Sequence, residues 1–241
     1  MFEHLKSEIK AHAIECFPNE SCGIIVGDQY LKQDNIAEIP TQDFKLSSNL
    51  WLQYPIQAIV HSHPFEVNKS NWDPRTPSKL DMTNQQETGI PWGITATDGT
   101  AALDPIWLGG PIEPLVGRNF IHGYHDCFSL CCNYYELEHN IKIKDYPRAC
   151  EWWVKTNPDF NGKSMYEENF EKEGFFPISL NEIRPGDTLL CSIQSPVINH
   201  AMILLDKGLI LHHLANRLSR REPLGRWGKY INKAIRHKDL A

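Results

Sequence analysis

Apolar positions recur at helical spacing from the first residues. Phe2, Leu5, Ile9, Ala13 and Cys16 fall on one face, and Pro18 with Asn19 ends the pattern. A short apolar run bounded by glycine, 21–27, then predicts a strand with Glu20 at its mouth, and a second run, 56–60, leads into His61-Ser62-His63-Pro64. Arg75-Thr76-Pro77 signals a helix start, with Thr76 as N-cap and Pro77 in the first turn, and 89–97 reads as turn then strand. Glycine and proline concentrate in 108–115, which marks a boundary near residue 112 between two domains, 1–112 and 113–241.

Beyond that boundary, Leu130, Cys131, Tyr134, Tyr135 and Leu137 follow Cys127 at helical spacing and predict a helix over 127–139. A further helix is expected over 147–156, carrying Trp152 and Trp153. A turn at 183–187, a β-type run at 188–193 and an apolar strand opening at His200 come next. Asp206-Lys207-Gly208 joins that strand to Leu209-Ile210-Leu211-His212-His213 as a hairpin. A three-residue loop with Gly208 left-handed pairs Met202 with His212 and puts His212 on the face of His200. A two-residue loop puts His213 there instead. Asp206-Lys207-Gly208 suits the three-residue loop. Strands following helices give an α+β class.

Composition narrows the range of functions. Hydrophobic content of 41% and charged content of 22% are those of a folded protein, and a net charge of -6 argues against nucleic acid as a partner. No apolar run is long enough to insert in a membrane, and Met1 to Ile9 lack the apolar stretch of a signal peptide, so the expectation is a protein that starts in the cytoplasm. Seven cysteines, odd in number and without paired metal-knuckle spacing, read as reduced thiols. From His212 onward Arg217, Arg220, Arg221, Arg226, Lys229, Lys233, Arg236 and Lys238 oppose only Glu222 and Asp239. That tail reads as a solvated face, or as an attraction for the carboxylates of peptidoglycan or of an acidic partner.

Two sets of residues suggest chemistry. Cys127 in the first turn of a helix meets unpaired N–H groups that favour an anion, which predicts a lowered thiol pKa and a nucleophile; its own N–H can serve as an oxyanion donor. His200 is the candidate base, oriented by His212. In the first half, His61 and His63 point to one side of an extended chain, and Ser78 and Asp81 share a helix face. Two histidines, one carboxylate and a water make an open tetrahedral zinc site, with Glu20 as general base and Ser78 steadying the oxyanion.

The order Glu20, then His61-Ser62-His63-Pro64, then Ser78-Lys79-Leu80-Asp81 resembles the JAMM/MPN metallopeptidase family. That resemblance implies Zn2+ on His61, His63 and Asp81, base Glu20 and oxyanion contact Ser78, in an N-terminal JAMM-like α/β sandwich. The segment 65–76 is long for that pattern, and Asp73 within it reads as a surface carboxylate. Asp126-Cys127-x-x-Leu130, Arg184-Pro185-Gly186-Asp187-Thr188-Leu189, and His200 followed twelve residues later by His212 resemble the NlpC-type cell-wall cysteine peptidases. Here the implied fold is papain-like, the triad Cys127, His200 and His212, and the substrate the stem peptides of peptidoglycan. Phe120 stands where many members have tyrosine, and Phe128-Ser129 replaces the usual Ser-Gly. Both halves in one chain resemble the tail-tip assembly proteins of lambda-type siphophages, which implies synthesis in the host cytoplasm and phage tail-tip proteins as partners. The competing class is a non-catalytic assembly or structural factor with vestigial sites.

Overall fold

A computed structural model describes residues 1–241 and divides into two units, Met1–Pro111 and Ile112–Ala241. In the first, a 3-10 turn, Glu3–Leu5, runs into α1 (Lys6–Cys16). Strands β1 (Cys22–Val26) and β2 (Gln29–Gln33) form a hairpin, and the short α2 (Leu50–Gln53) precedes β3 (Ala58–Pro64). Helix α3 (Lys79–Thr88) crosses from β3 to β4 (Trp92–Thr97), and β5 (Ile106–Leu108) closes the edge. The sheet order is β2-β1-β3-β4-β5, with β3 and β4 its parallel pair. Alternation along β3 decides what faces what. Ala58 and Val60 join Leu5, Ile9, Ile25, Tyr30 and Trp107 in one apolar cluster, which leaves His61 and His63 on the opposite face.

The second unit opens with α4 (Cys127–His139), followed by the short α5 (Met165–Asn169). Six strands follow: β6 (Phe175–Ile178), β7 (Thr188–Cys191), β8 (His200–Leu204), β9 (Leu209–His212), β10 (Arg220–Pro223) and β11 (Ile231–His237). They form one antiparallel sheet, β10-β9-β8-β7-β11-β6. Leu190, Ala201, Ile203 and Leu211 pack with Leu130, Cys131 and Tyr135 of α4. Leu189, Met202, Leu204 and Ile210 pack with Trp227 in a second cluster on the other side of the strands. The molecule is thus a mixed α+β protein with two sheets.

Several expectations are corrected. Residues 147–156 form turns and no helix, although Trp152 is buried in the core. Leu137 turns outward from α4 while its fellow apolar residues go inward. The N-cap of α3 is Ser78 and not Thr76: Ser78 Oγ accepts the Asp81 N–H, and the Asp81 carboxylate accepts the Ser78 N–H. Asp73 is no bare surface acid, since it clasps Arg75 through both carboxylate oxygens. The basic tail, by contrast, keeps the eight Lys and Arg side chains named above exposed or half-buried, as a solvated face should. It supplies β10 and β11, and Arg236 grips both oxygens of the buried Asp187 at 2.7 and 2.9 Å.

Candidate functional sites in the two units

In the second unit the site is built on the N-terminus of α4. Asp126 caps the helix: its carboxylate accepts the Ser129 N–H, and Ser129 Oγ accepts the Asp126 N–H. The same carboxylate accepts Gly123 N–H and two guanidinium bonds from Arg148, at 2.8 and 2.9 Å, with both side chains almost wholly buried. Arg148 also holds Asp145 at 2.6 Å. Burial opposes the charge on Asp126, but Arg148 outweighs it and holds the carboxyl well below the usual range. The cap is therefore a fixed anion directly beneath Cys127.

Cys127 is half-buried. Its Sγ lies 3.1 Å from the hydroxyl of Tyr166 on α5 and 3.9 Å from the carbonyl of Asn199, the residue before His200. Burial, reinforced by the Asp126 charge, pushes the thiol up to about 11, while the Tyr166 hydrogen bond pulls the other way. This reverses the lowered pKa expected of a helix N-terminus: desolvation and the capping carboxylate outweigh the N–H dipoles.

The hairpin has the register of the three-residue loop. Ile203 pairs with Leu211 and Leu204 with Ile210, Leu205 N–H donates to Leu209 across the loop, and Gly208 has φ +68°. His200 Nε2 then lies 3.3 Å from His212 Nδ1. His213 points elsewhere, onto the Phe120 ring and the Arg217 carbonyl. Burial first, then His212 and His213, push His200 down to about 3, so the imidazole is neutral at physiological pH. No hydrogen bond joins it to the thiol in this resting structure; the contact runs through the Asn199 backbone.

Three residues of this site were missed from the sequence. Tyr166 carried no signal, because α5 is too short for a periodic pattern. Arg148 lay in a stretch read as helix. Glu222 accepts a 2.6 Å hydrogen bond from His212 and a 3.1 Å one from Arg226. Burial raises the Glu222 carboxyl, but His212 and the nearby arginines more than offset that, and it sits below its ordinary value.

In the first unit, His61 and His63 share one face of β3, and the N-terminus of α3 brings Asp81 to them. The two Nε2 atoms are 3.1 Å apart, and Asp81 oxygens lie 3.3 Å from His61 and 3.6 Å from His63. Tetrahedral Zn2+ with ligand bonds of about 2.0–2.1 Å spaces its donors about 3.3–3.4 Å apart, so the three side chains fit a zinc ion as they stand. His63 Nδ1 donates to the Pro74 carbonyl at 3.0 Å, which leaves its Nε2 lone pair facing the cluster. Phe44 stacks on His61 and Trp92 meets it edge-on, closing the apolar side. Glu20 is buried nearby, and that burial pushes its carboxyl up to about 7; His63 opposes the shift and Asp81 adds to it. Ser78 is solvent-exposed, its oxygen engaged by the Asp81 N–H but its own proton available to donate outward.

Residues 114–236 match the NlpC/P60 family. The chain is 32% identical over 241 residues to the tail tip assembly protein K of Escherichia phage N15, covering 96% of this chain and 93% of that one. It is 33% identical over 198 residues to the tail tip assembly protein K of Escherichia phage lambda, covering 80% and 89%. Among solved structures, an NlpC/P60 family protein from Bacillus cereus aligns with 91% of this chain and 60% of its own length, at 14% identity and a TM-score of 0.34. No helix is long and apolar enough to cross a membrane. The family match takes in Cys127, His200, His212 and Glu222, and the identity to the phage proteins extends over nearly the whole chain; the protein therefore belongs to the tail tip assembly protein K family, with an NlpC/P60 domain as its second unit.

Proposed function

We propose that the second unit is a cysteine endopeptidase that cuts stem peptides of peptidoglycan, opening the cell wall locally at the tail tip during infection. The observation that supports this reading most is the His200–His212 pair on the hairpin, beside the strand start that touches the Cys127 thiol. Cys127 is the nucleophile and His200 the base, taking the thiol proton at the ring nitrogen that His212 does not use. His212 orients it. With the thiol held protonated by burial, the proton leaves during attack and not beforehand, so the base matters in the step itself. The Cys127 N–H, at the first turn of α4, donates to the developing oxyanion.

For the first unit we propose a JAMM/MPN-like fold and a zinc peptidase site, with His61, His63 and Asp81 as ligands. The metal, when bound, supplies a Lewis acid and lowers the pKa of a water toward neutrality. Glu20, raised to about 7, takes a proton at its carboxylate near neutral pH, and the Ser78 hydroxyl steadies the oxyanion. Its substrate is a protein, for which phage tail-tip proteins processed in the host cytoplasm are the natural candidates.

The test is digestion of purified peptidoglycan by wild type, Cys127→Ala and Glu20→Gln proteins, with products identified by mass spectrometry and zinc content measured alongside. Cleavage is expected to vanish in Cys127→Ala with zinc still bound, and to persist in Glu20→Gln. Loss of zinc on Cys127→Ala would refute two independent sites. Absence of cleavage by folded wild type would instead favour a non-catalytic assembly factor.

A further inference from the structure

We infer that Glu222 is a positioning residue that sets the tautomers of both histidines, extending the line of side chains to His200, His212 and Glu222. The inference rests on the assignment of His200 as the base for Cys127.

A histidine in the orienting position brings an ambiguity that an amide or carboxylate does not. A neutral imidazole carries one proton on either of two nitrogens, so its Nδ1 can face His200 as donor or as acceptor. Only the acceptor form is useful, because a donor at His212 Nδ1 would force the His200 proton onto Nδ1 and leave no lone pair there for the thiol. Something on the far side must decide. His212 Nε2 lies 2.6 Å from Glu222 Oε1, and an ionised carboxylate only accepts, so the His212 proton is held on Nε2. Nδ1 is then a bare lone pair, 3.3 Å from His200 Nε2, which must be the donor. The lone pair of His200 therefore sits on Nδ1.

The surroundings support a carboxylate fixed in this role. Arg226 holds the other oxygen, Oε2, at 3.1 Å, and Arg220 lies across the strands from His212 in the β9–β10 register. The Trp227 ring meets His212 edge-on at 4.8 Å and closes its side, so the imidazole has little room to turn. Glu222 itself touches neither His200 nor Cys127 among its hydrogen bonds. It acts through His212 alone.

Glu222→Gln tests this. The glutamine amide can offer His212 either a donor or an acceptor, so the constraint is lost while the volume is kept. In wild type, 15N-resolved NMR of histidine-labelled protein is expected to show His212 protonated only on Nε2 and His200 only on Nε2. In Glu222→Gln both signals should move to mixed or reversed tautomers. The alkylation rate of Cys127, read by peptide mapping, should fall by about tenfold or more, the range of a misplaced general base. A second comparison separates positioning from mere structure. In His212→Asn the amide oxygen accepts from His200 with no tautomer to set, so adding Glu222→Gln there should change the rate less than about twofold, within ordinary additivity. Unchanged tautomers in Glu222→Gln, or an equal loss in both backgrounds, would overturn the inference. Because tautomers and alkylation are read without peptidoglycan, the expected spectra in a protein that cuts no wall would refute the endopeptidase and leave the role of Glu222 standing.

Discussion

At the residue scale the defining competition is at Cys127. A helix N-terminus favours a thiolate, while burial and the Asp126 carboxylate disfavour it, and the thiol ends up at about 11. The fraction ionised then rises by about tenfold per pH unit across the whole neutral range, since each unit below a pKa costs one decade of the deprotonated form. In His200→Ala, where no imidazole takes the proton during attack, alkylation of Cys127 between pH 6 and 9 should climb steadily with no plateau, whereas in wild type the neutral His200 should flatten that profile. A plateau below pH 8 in His200→Ala would mean that the thiol ionises well below 11. Tyr166 is the group that opposes the shift, its hydroxyl 3.1 Å from Sγ. A hydrogen bond to a charged acceptor contributes about 1.5–3 kcal/mol, so Tyr166→Phe should slow alkylation at pH 8 by about tenfold or more while the slope with pH stays the same. Faster alkylation would mean that Tyr166 restrains the thiol and does not favour its ionised form.

At the element scale, what positions the nucleophile is the ion pair under the first turn of α4. Asp126 and Arg148 are both buried, and removing one partner of such a pair leaves the other charged in a low dielectric at a cost of about 3–5 kcal/mol. Arg148→Met should therefore destabilise the second unit by that amount in urea unfolding. Adding Asp126→Asn, which keeps an acceptor for the Ser129 N–H but removes the stranded charge, should recover part of it. Additive losses would show that the two residues act independently. The helix itself was legible from the apolar period that follows Cys127, in Leu130, Cys131, Tyr134 and Tyr135, all of which the fold buries. The β8–β9 hairpin was legible through Asp206-Lys207-Gly208, and the face shared by His61 and His63 followed from strand alternation. Other elements were not, for the opposite reason. In β11 the buried Ala234 and Ile235 stand between Lys233 and Arg236, which hides the strand's period, and what holds it is pairing to β6 and β7 on its two sides, partners distant in sequence. Missing β10 meant missing Glu222, whose approach to His212 exists only once those two strands are paired. The cap of α3 did have a signal. Ser78 and Asp81, three apart, are themselves a capping pair, and they stand directly beyond Thr76-Pro77, which carries a competing helix-start pattern.

At the scale of the whole molecule, each unit carries its own core and its own candidate site, so a ligand of one should act on that unit alone. Zinc held by His61, His63 and Asp81 would bind the folded first unit and not its unfolded chain. At a free concentration of 100 times the dissociation constant such a ligand adds about 2.7 kcal/mol. For a domain of about a hundred residues that corresponds to a rise in melting temperature of about 10 °C or more. Calorimetry of the zinc-loaded protein should then show two transitions, of which EDTA lowers one by this amount and leaves the other in place. His63→Ala should lower the same transition and make it indifferent to EDTA, whereas Cys127→Ala should leave both transitions and the chelator response as in wild type. Peptidoglycan cleavage should survive EDTA, because no zinc ligand lies in the second unit. If EDTA moved neither transition, the cluster of two imidazoles and a carboxylate would be a hydrogen-bonded packing feature of the sheet; if it moved both, the metal would be holding more than the first unit together.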